Sequence, residues 1–517
     1  MLLAGGSLLV AAHHDGIDDA YISYRYAGNM AKGYGLVFNP GERVEGYSNL
    51  LYVCMLAPAY LLGVEGAGIY WFSVGLNILA AMGVLALFAS HLWRRFGGGA
   101  AAAGGLLLSL CPAMWRWSAS GMETMWMLLL QVGGWIAVDR MVEEKARRMV
   151  FPAAACAVLM VLMRADGFVV PAFLTVYLLA RKERRGAYLV GGASGVALLA
   201  VLLWQWNYYG QALANPYYVK VSGPVAERLG VALKTLSKAR HMWLYWLAVG
   251  LYVGGVTSGR RRARESAGVP VGPWVAVGLM AYYLYIGGDF FGERFLLFYV
   301  PLGIYGLFAL GVVPAKELRL GGAWALLTIL LYQLAAPTGG TARIDEVLFG
   351  RGKRMEGTYW AELGRFLRRH EPGKTIAVDA AGRIPFFSGL YAIDMLGLAD
   401  KHIAHVSGSG EFVPGHSKYD PQYILKRGPD LIAGRSGDEE GNLFYGLARA
   451  LWAPAYRMRY MLYAENLSIP DGWPYVVDVR DARAERVALL FRRGYRYVVL
   501  ERKERGEASQ DVPVSME

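Results

Sequence analysis

The feature that most limits what this chain can fold into is a succession of long apolar runs over residues 1–336, broken by short charged turns. A helix crossing a bilayer core of about 30 Å needs roughly 20 mostly apolar residues, because its backbone polar groups must all be satisfied within the segment. Runs of this kind, some of them short, lie at 1–12 (incomplete), 69–92, 99–115, 122–139, 149–163, 167–181, 187–206, 241–259, 270–287, 295–313 and 320–336. They predict an integral membrane protein built as an all-α polytopic bundle of about eleven transmembrane helices. The run 49–63 is apolar but short and contains Pro58, so it reads as a juxtamembrane or re-entrant helix. The opening residues lack the basic flank of a secretory signal and read as the end of a first span.

Beyond Pro337 and Gly339–Gly340 the composition becomes that of a water-soluble protein. Helical patterns at 355–370, 442–451 and 481–492 alternate with strand-like runs at 375–379, 431–433, 475–479 and 496–500. That alternation predicts a soluble α/β domain over 337–517, following a transmembrane domain over 1–336.

The formal net charge is +12. In a soluble protein this would suggest nucleic acid, but here the excess falls in clusters between apolar runs, so no nucleic-acid partner is implied. The clusters occupy every second loop: Arg94 and Arg95; Arg140, Lys145, Arg147 and Arg148; Arg181, Lys182, Arg184 and Arg185; Arg260, Arg261, Arg262 and Arg264; Lys316 and Arg319. By the positive-inside rule these loops face the cytoplasm. The loops 13–48, 207–240 and 288–294, and the C-terminal domain, then lie together on the extracytoplasmic (periplasmic) side of the cell's inner or plasma membrane. Chemistry should be sought there.

Cys54, Cys111 and Cys156 all lie in apolar segments and none lies in the soluble part, which excludes a disulfide framework. His13 and His14 are adjacent and poorly placed to aim at one ion, so no metal site is assigned. No cofactor motif occurs, and a divalent metal is left open.

The first loop, DGIDDAYISYRYAGNMAKGYGLVFNPGERVEGYSN, carries the strongest chemical signal. Paired acids at a membrane boundary are costly unless they are used or hydrated, and like charges side by side push one pKa upward, which suits a general base. Asp18 and Asp19 are therefore the catalytic candidates, against the blander reading of a solvated loop start. Arg25 follows at helical spacing, then Glu45, Tyr47 and Asn49 before the next apolar run. On the same side, NYYGQALANPYYVK places Asn215, Tyr217, Tyr218 and Lys220, where rings can platform a sugar and the lysine can bind a phosphate. An interfacial aromatic belt with a snorkelling lysine is the structural alternative. GGDFFGERF adds Asp289 and Arg294, SGMET adds Glu123, and MRADG adds Arg164, each of which could equally be a structural ion-pair partner.

Taken together, DDAYISYRYAGNM, GLVFNPGERVEGYSN, SGMET, RADG, YYGQALANPYYVK and GGDFFGERF resemble the GT-C membrane glycosyltransferases, and within them the terminal arabinofuranosyltransferase type. In the soluble part IDMLGLADKHIAH, PGHSKYDPQYIL and PDLI resemble the same family, so the similarity spans nearly the whole chain. The resemblance implies a polyprenyl-phosphate sugar donor, a cell-envelope glycan acceptor and the lipid bilayer as partners. It implies Asp18 as the catalytic base with Asp19 beside it, and Lys220 and Arg294 on the donor phosphate. Asn215, Tyr217, Tyr218 and Arg25 join the donor group, while Glu45, Tyr47, Asn49, Glu123, Asp289 and Arg164 join the substrate group. The competing readings are a transporter or flippase for lipid-linked glycans, and an oligosaccharide ligase or polymerase.

Overall fold

Among the described residues, the apolar runs up to residue 311 are realised as helices packed side by side, and the strand-like runs beyond 357 as a sheet. The computed structural model describes residues 1–14, 16–239, 242–257, 270–292, 294–311, 357–408, 412–435, 442–462, 476–480 and 497–504. The expected span 320–336, the basic clusters at 260–264 and 316–319, and the expected helix 481–492 lie outside the described residues.

Among the described residues three helices, Gly68–Phe96, Thr124–Glu143 and Arg184–Tyr209, are long and apolar enough to cross a membrane. Gly98–Ser109 and Pro112–Ser118 supply a fourth if counted as one span. The sequence predicts one helix over 99–115, but the chain bends by 58° between these two pieces. Pro112 is the cause. It has no N–H to donate and its ring clashes with the preceding turn, yet it suits the first position of a new helix. Shorter apolar helices, including Leu50–Leu61, Val150–Met163, Val271–Ile286 and Tyr299–Ala309, complete the described bundle. Trp117, Trp135, Tyr245, Tyr252 and Tyr283 are buried at its centre, while Leu79, Val196, Leu199, Leu203, Leu247 and Leu251 stand exposed on its outside. So much exposed aliphatic surface suits lipid chains and not water.

Two stretches read as loops contain helices. In the first loop Asp18–Ala31 is helical, with both acids in its first turn. Within 207–240, Asn215–Lys220 and Val225–Lys238 are helical. The latter exposes Val225, Leu229 and Leu233 along one stripe and buries Arg228 and Ala232 on the other side, the pattern of an amphipathic surface helix.

The C-terminal unit contains a six-stranded mixed sheet in the order β2-β1-β3-β6-β4-β5. Its strands are β1 Thr375–Val378, β2 Tyr391–Asp394, β3 Leu431–Arg435, β4 Tyr456–Leu462, β5 Val476–Asp478 and β6 Tyr497–Arg502. β1 pairs in parallel with β2 and β3, and the other pairings are antiparallel. The sequence reading omitted β2 and β4. It also expected a helix over 442–451, but only Arg449–Trp452 is helical. Tyr445 and Gly446 adopt φ of 63° and 76°, and the amide of Leu443 donates to the carbonyl of Leu447, so the chain folds into a tight turn there.

Candidate active site

The first loop and the C-terminal unit are bolted together by buried polar groups. Asp18 accepts two hydrogen bonds, from the amides of Gly382 and Arg383, both at 2.9 Å. These amides lie just past the carboxyl end of β1, where the loop after a parallel strand presents free N–H groups. Gly382 is required by this approach, since a Cβ there would fall 2.0 Å from the Asp18 carbonyl oxygen. Arg383 donates back to the carbonyl of Gly16 at 2.9 Å, and its guanidinium lies 4.7 Å from the centroid of the Tyr21 ring. Burial pushes the Asp18 carboxyl up to about 6, against the opposing pull of the Arg383 amide and charge.

Arg25 is a second bolt. It donates to the carbonyls of Phe38, Pro385 and Leu390 and to Asn39 Oδ1. Asn39 in turn pairs with the edge strand β2, giving its amide to the carbonyl of Ala392 at 2.8 Å and accepting from the Ala392 amide at 3.1 Å. The sequence reading placed Arg25 on a donor phosphate. The structure instead directs its guanidinium to protein oxygens.

Asp19 behaves differently from Asp18. It has no hydrogen-bond or ion-pair partner among the described residues. Its charge acts on Lys220, from the Asn215–Lys220 helix, and on His416 of the C-terminal unit. Lys220 is half-buried and likewise has no partner among the described residues. Burial chiefly, with help from the Arg294 charge, holds its ammonium below the ordinary lysine range, while Asp289 and Asp19 pull the other way. Arg294 donates to Asp289 Oδ1 at 3.0 Å. Asp289 Oδ2 and Arg294 Nε, both buried, keep no protein partner. The expected mutual ion pair is therefore present, with one polar atom of each side chain still unspent.

A continuous network runs from Ser23 to Tyr282. Ser23 donates to Asn49 Oδ1 at 3.1 Å and Asn49 donates to Glu123 Oε2 at 2.8 Å. Glu123 Oε1 meets Arg164 Nη1 at 2.5 Å. Arg164 forks onto Asp166 at 2.8 and 2.9 Å, and Tyr282 donates to Asp166 at 2.8 Å. Arg164 and Arg294 both lie against the Phe295 ring, at 5.1 and 4.8 Å. Asn49, Glu123 and Arg164, expected on the substrate, are thus occupied by protein partners beside the site. A cleft opens from this network, with Arg294, Glu123, Arg164, Asp166 and Tyr282 at its polar end and Met127, Leu128, Val169, Val170 and Leu279 along its walls.

The remaining expected residues form a third group. The Asn215 amide donates to the carbonyl of Glu45 at 3.0 Å, and Gln205 donates to Glu45 Oε1 at 2.8 Å. Burial pushes the Glu45 carboxyl up to about 8. Tyr47 meets Tyr209 hydroxyl to hydroxyl at 3.1 Å. These contacts hold the first loop against the Arg184–Tyr209 helix. Tyr218 packs on His405, with ring centroids 4.5 Å apart, and Tyr217 is 41% exposed. Sequence reasoning assigned no role to Asn39, Arg383 or His416. For Asn39 and His416 there was a signal, their places in the family-like GLVFNPGERVEGYSN and PGHSKYDP stretches; for Arg383 there was none.

Comparison with known proteins gives three findings. A family model described as "Domain of unknown function (DUF8728)" matches residues 348–500. No curated protein matches the sequence. Among solved structures, ArnT from Cupriavidus metallidurans bound to undecaprenyl phosphate is similar at TM-score 0.56 and 14% identity, covering 98% of each chain. The Archaeoglobus fulgidus oligosaccharyltransferase, in complex with Zn and sulfate, is similar at TM-score 0.52 and 14% identity, covering 89% of this chain and 72% of that one. Both are GT-C glycosyltransferases, and the fold of this chain is the GT-C fold.

Proposed function

We propose that the chain transfers one sugar, of the arabinofuranosyl type, from a polyprenyl-phosphate donor to a cell-envelope glycan on the extracytoplasmic side of the inner membrane. The observation that carries this reading is that Asp19 and Lys220, oppositely charged and without a hydrogen-bond or ion-pair partner among the described residues, act on each other electrostatically. Unpaired charges in a partly dry place are expensive, and they persist where a ligand or a reaction uses them. The likeness in fold to ArnT, a protein solved with undecaprenyl phosphate, supports the donor class.

In this reading the prenyl chain lies in the cleft walled by Met127, Leu128, Val169, Val170 and Leu279, and its phosphate meets Arg294 and Lys220. Asp19 takes the proton of an acceptor hydroxyl. The acceptor oxygen forms a bond to the anomeric carbon as the bond from that carbon to the phosphate oxygen breaks. The polyprenyl phosphate leaves with the electron pair, and the two cations stabilise its growing charge. Asp18, with both oxygens committed to the C-terminal unit, orders the helix that presents Asp19 and takes no proton from substrate. This divides the two acids differently from the sequence expectation.

The reading includes a transmembrane domain over 1–336 with about eleven spans and an extracytoplasmic domain over 337–517. The test is the lipid that co-purifies from membranes, identified by mass spectrometry, with reporters fused after residue 340. A polyprenyl phosphate or its glycoside, with an extracytoplasmic reporter, is the expected result. A cytoplasmic reporter would overturn the assignment.

A further inference from the structure

Residues 412–417 of the C-terminal unit cover the Gly287–Arg294 loop. The Phe412 ring comes so close that a Cβ on Gly287 would fall 2.6 Å from its Cε1. Four residues on, the His416 ring packs on Phe290 of that loop, with centroids 4.6 Å apart and planes at 34°. His416 Nδ1 lies 3.2 Å from the carbonyl oxygen of Pro414. A carbonyl can only accept, so Nδ1 carries the proton of the neutral ring and Nε2 is left as an acceptor.

No hydrogen bond or ion pair engages Nε2 among the described residues. Phe290 follows Asp289, which holds Arg294 at the polar end of the cleft, so the imidazole lies beside the candidate site, and the charges of Asp19, Arg435 and Asp379 act on it. Burial above all holds the imidazole below its ordinary value, which keeps it neutral and accepting at physiological pH. Phe290 beside it is 58% exposed. An open aromatic ring next to a fixed acceptor nitrogen matches a sugar, whose apolar face lies on rings while its hydroxyls donate.

We propose that His416 and Phe290 form an acceptor subsite, in which His416 Nε2 accepts a hydrogen bond from an acceptor-glycan hydroxyl and the sugar lies along the Phe290 ring. This rests on the reading under Proposed function and deepens it. It makes the C-terminal unit a direct contributor to the site, so the bolts at Asp18 and Arg25 serve substrate recognition as well as stability.

The experiment measures binding of an octyl arabinofuranoside disaccharide to the full chain in detergent by saturation-transfer NMR. A separate titration with a polyprenyl phosphate forms the second arm. His416→Phe keeps the ring packing and removes the acceptor nitrogen; His416→Gln returns an acceptor oxygen. His416→Phe should weaken glycoside binding about tenfold, as for one lost hydrogen bond in a dry site, and His416→Gln should recover part of it. Polyprenyl phosphate binding should be unchanged in both. Unaltered glycoside binding by His416→Phe overturns the proposal, as does a wild type that binds no glycoside. A wild type that binds the glycoside but no polyprenyl phosphate overturns the donor reading instead, and leaves the subsite to be decided by the first arm.

Discussion

Replacing Asp18 and Asp19 by asparagine, one at a time, should separate stability from turnover. Asp18 accepts the amides of Gly382 and Arg383 at 2.9 Å each. Asparagine offers one oxygen and one NH2, so one amide loses its acceptor and meets a donor. An orphaned buried donor costs about 1–3 kcal/mol. Relief from burying a charge offsets part of this, leaving a net loss of about 1–2 kcal/mol and a lower Tm. Asp19 has no such partner among the described residues, so Asp19→Asn should leave Tm unchanged or raise it. If Asp19 is the general base, its loss should cut kcat by about 10²–10⁴, which is about 2.7–5.5 kcal/mol on the barrier.

The assays are a thermal melt in detergent and sugar transfer from a synthetic polyprenyl-phosphate donor. The same pair predicts a pH effect. The Asp18 carboxyl sits at about 6 in the folded chain, raised by burial above its unfolded value. Its proton therefore binds the folded state more tightly. The resulting stabilisation is complete below the unfolded pKa and is lost as pH rises through about 6. The Tm advantage of wild type over Asp18→Asn should accordingly be larger at acid pH than at neutral pH. Normal turnover by Asp19→Asn, with turnover abolished in a well-folded Asp18→Asn, would refute the division of roles and return the base to Asp18.

Lys220→Ala should weaken polyprenyl-phosphate binding about tenfold or more, since a charge-assisted phosphate contact contributes about 1.5–3 kcal/mol; isothermal titration checks this, and unchanged affinity would assign Lys220 to a snorkelling role. Gly382→Ala should lower Tm and activity together, because its Cβ would fall 2.0 Å from the Asp18 carbonyl oxygen, and a wild-type melt would show that the interface yields easily. Arg164→Met should destabilise the bundle by about 3–5 kcal/mol, because it leaves the buried Glu123 and Asp166 carboxylates without their shared cation; a substrate-binding role alone would instead raise KM in a normally melting protein.

The apolar runs and the acid pair could be read from the sequence because each is local. Burial repeats along a helix, and Asp18 and Asp19 stand side by side. The break at Pro112 was equally local and was missed only because the apolar run continues through it. What could not be read was pairing across hundreds of residues. Arg25 looks like a phosphate ligand until Pro385 and Leu390 arrive to take its donors. Glu123 and Arg164 are separated by 41 positions, and nothing in either motif reveals that they meet. The distinct fates of the two aspartates have the same origin. They differ by one helical step of about 100°, which turns Asp18 to the β1 loop and Asp19 away from it. β2 and β4 were missed because strands in a mixed sheet are set by their neighbours more than by their own residues.

The most direct test of the central claim is the stoichiometry of a single reaction mixture. Purified wild-type protein in sealed lipid vesicles is given a radiolabelled polyprenyl-phosphate sugar and a glycan acceptor, and the extended glycan and released polyprenyl phosphate are both counted. The account predicts one polyprenyl phosphate released per sugar added to the acceptor, with both products lost together in Asp19→Asn. Donor that stays intact while it crosses a sealed bilayer would contradict it and identify a lipid-glycan transporter.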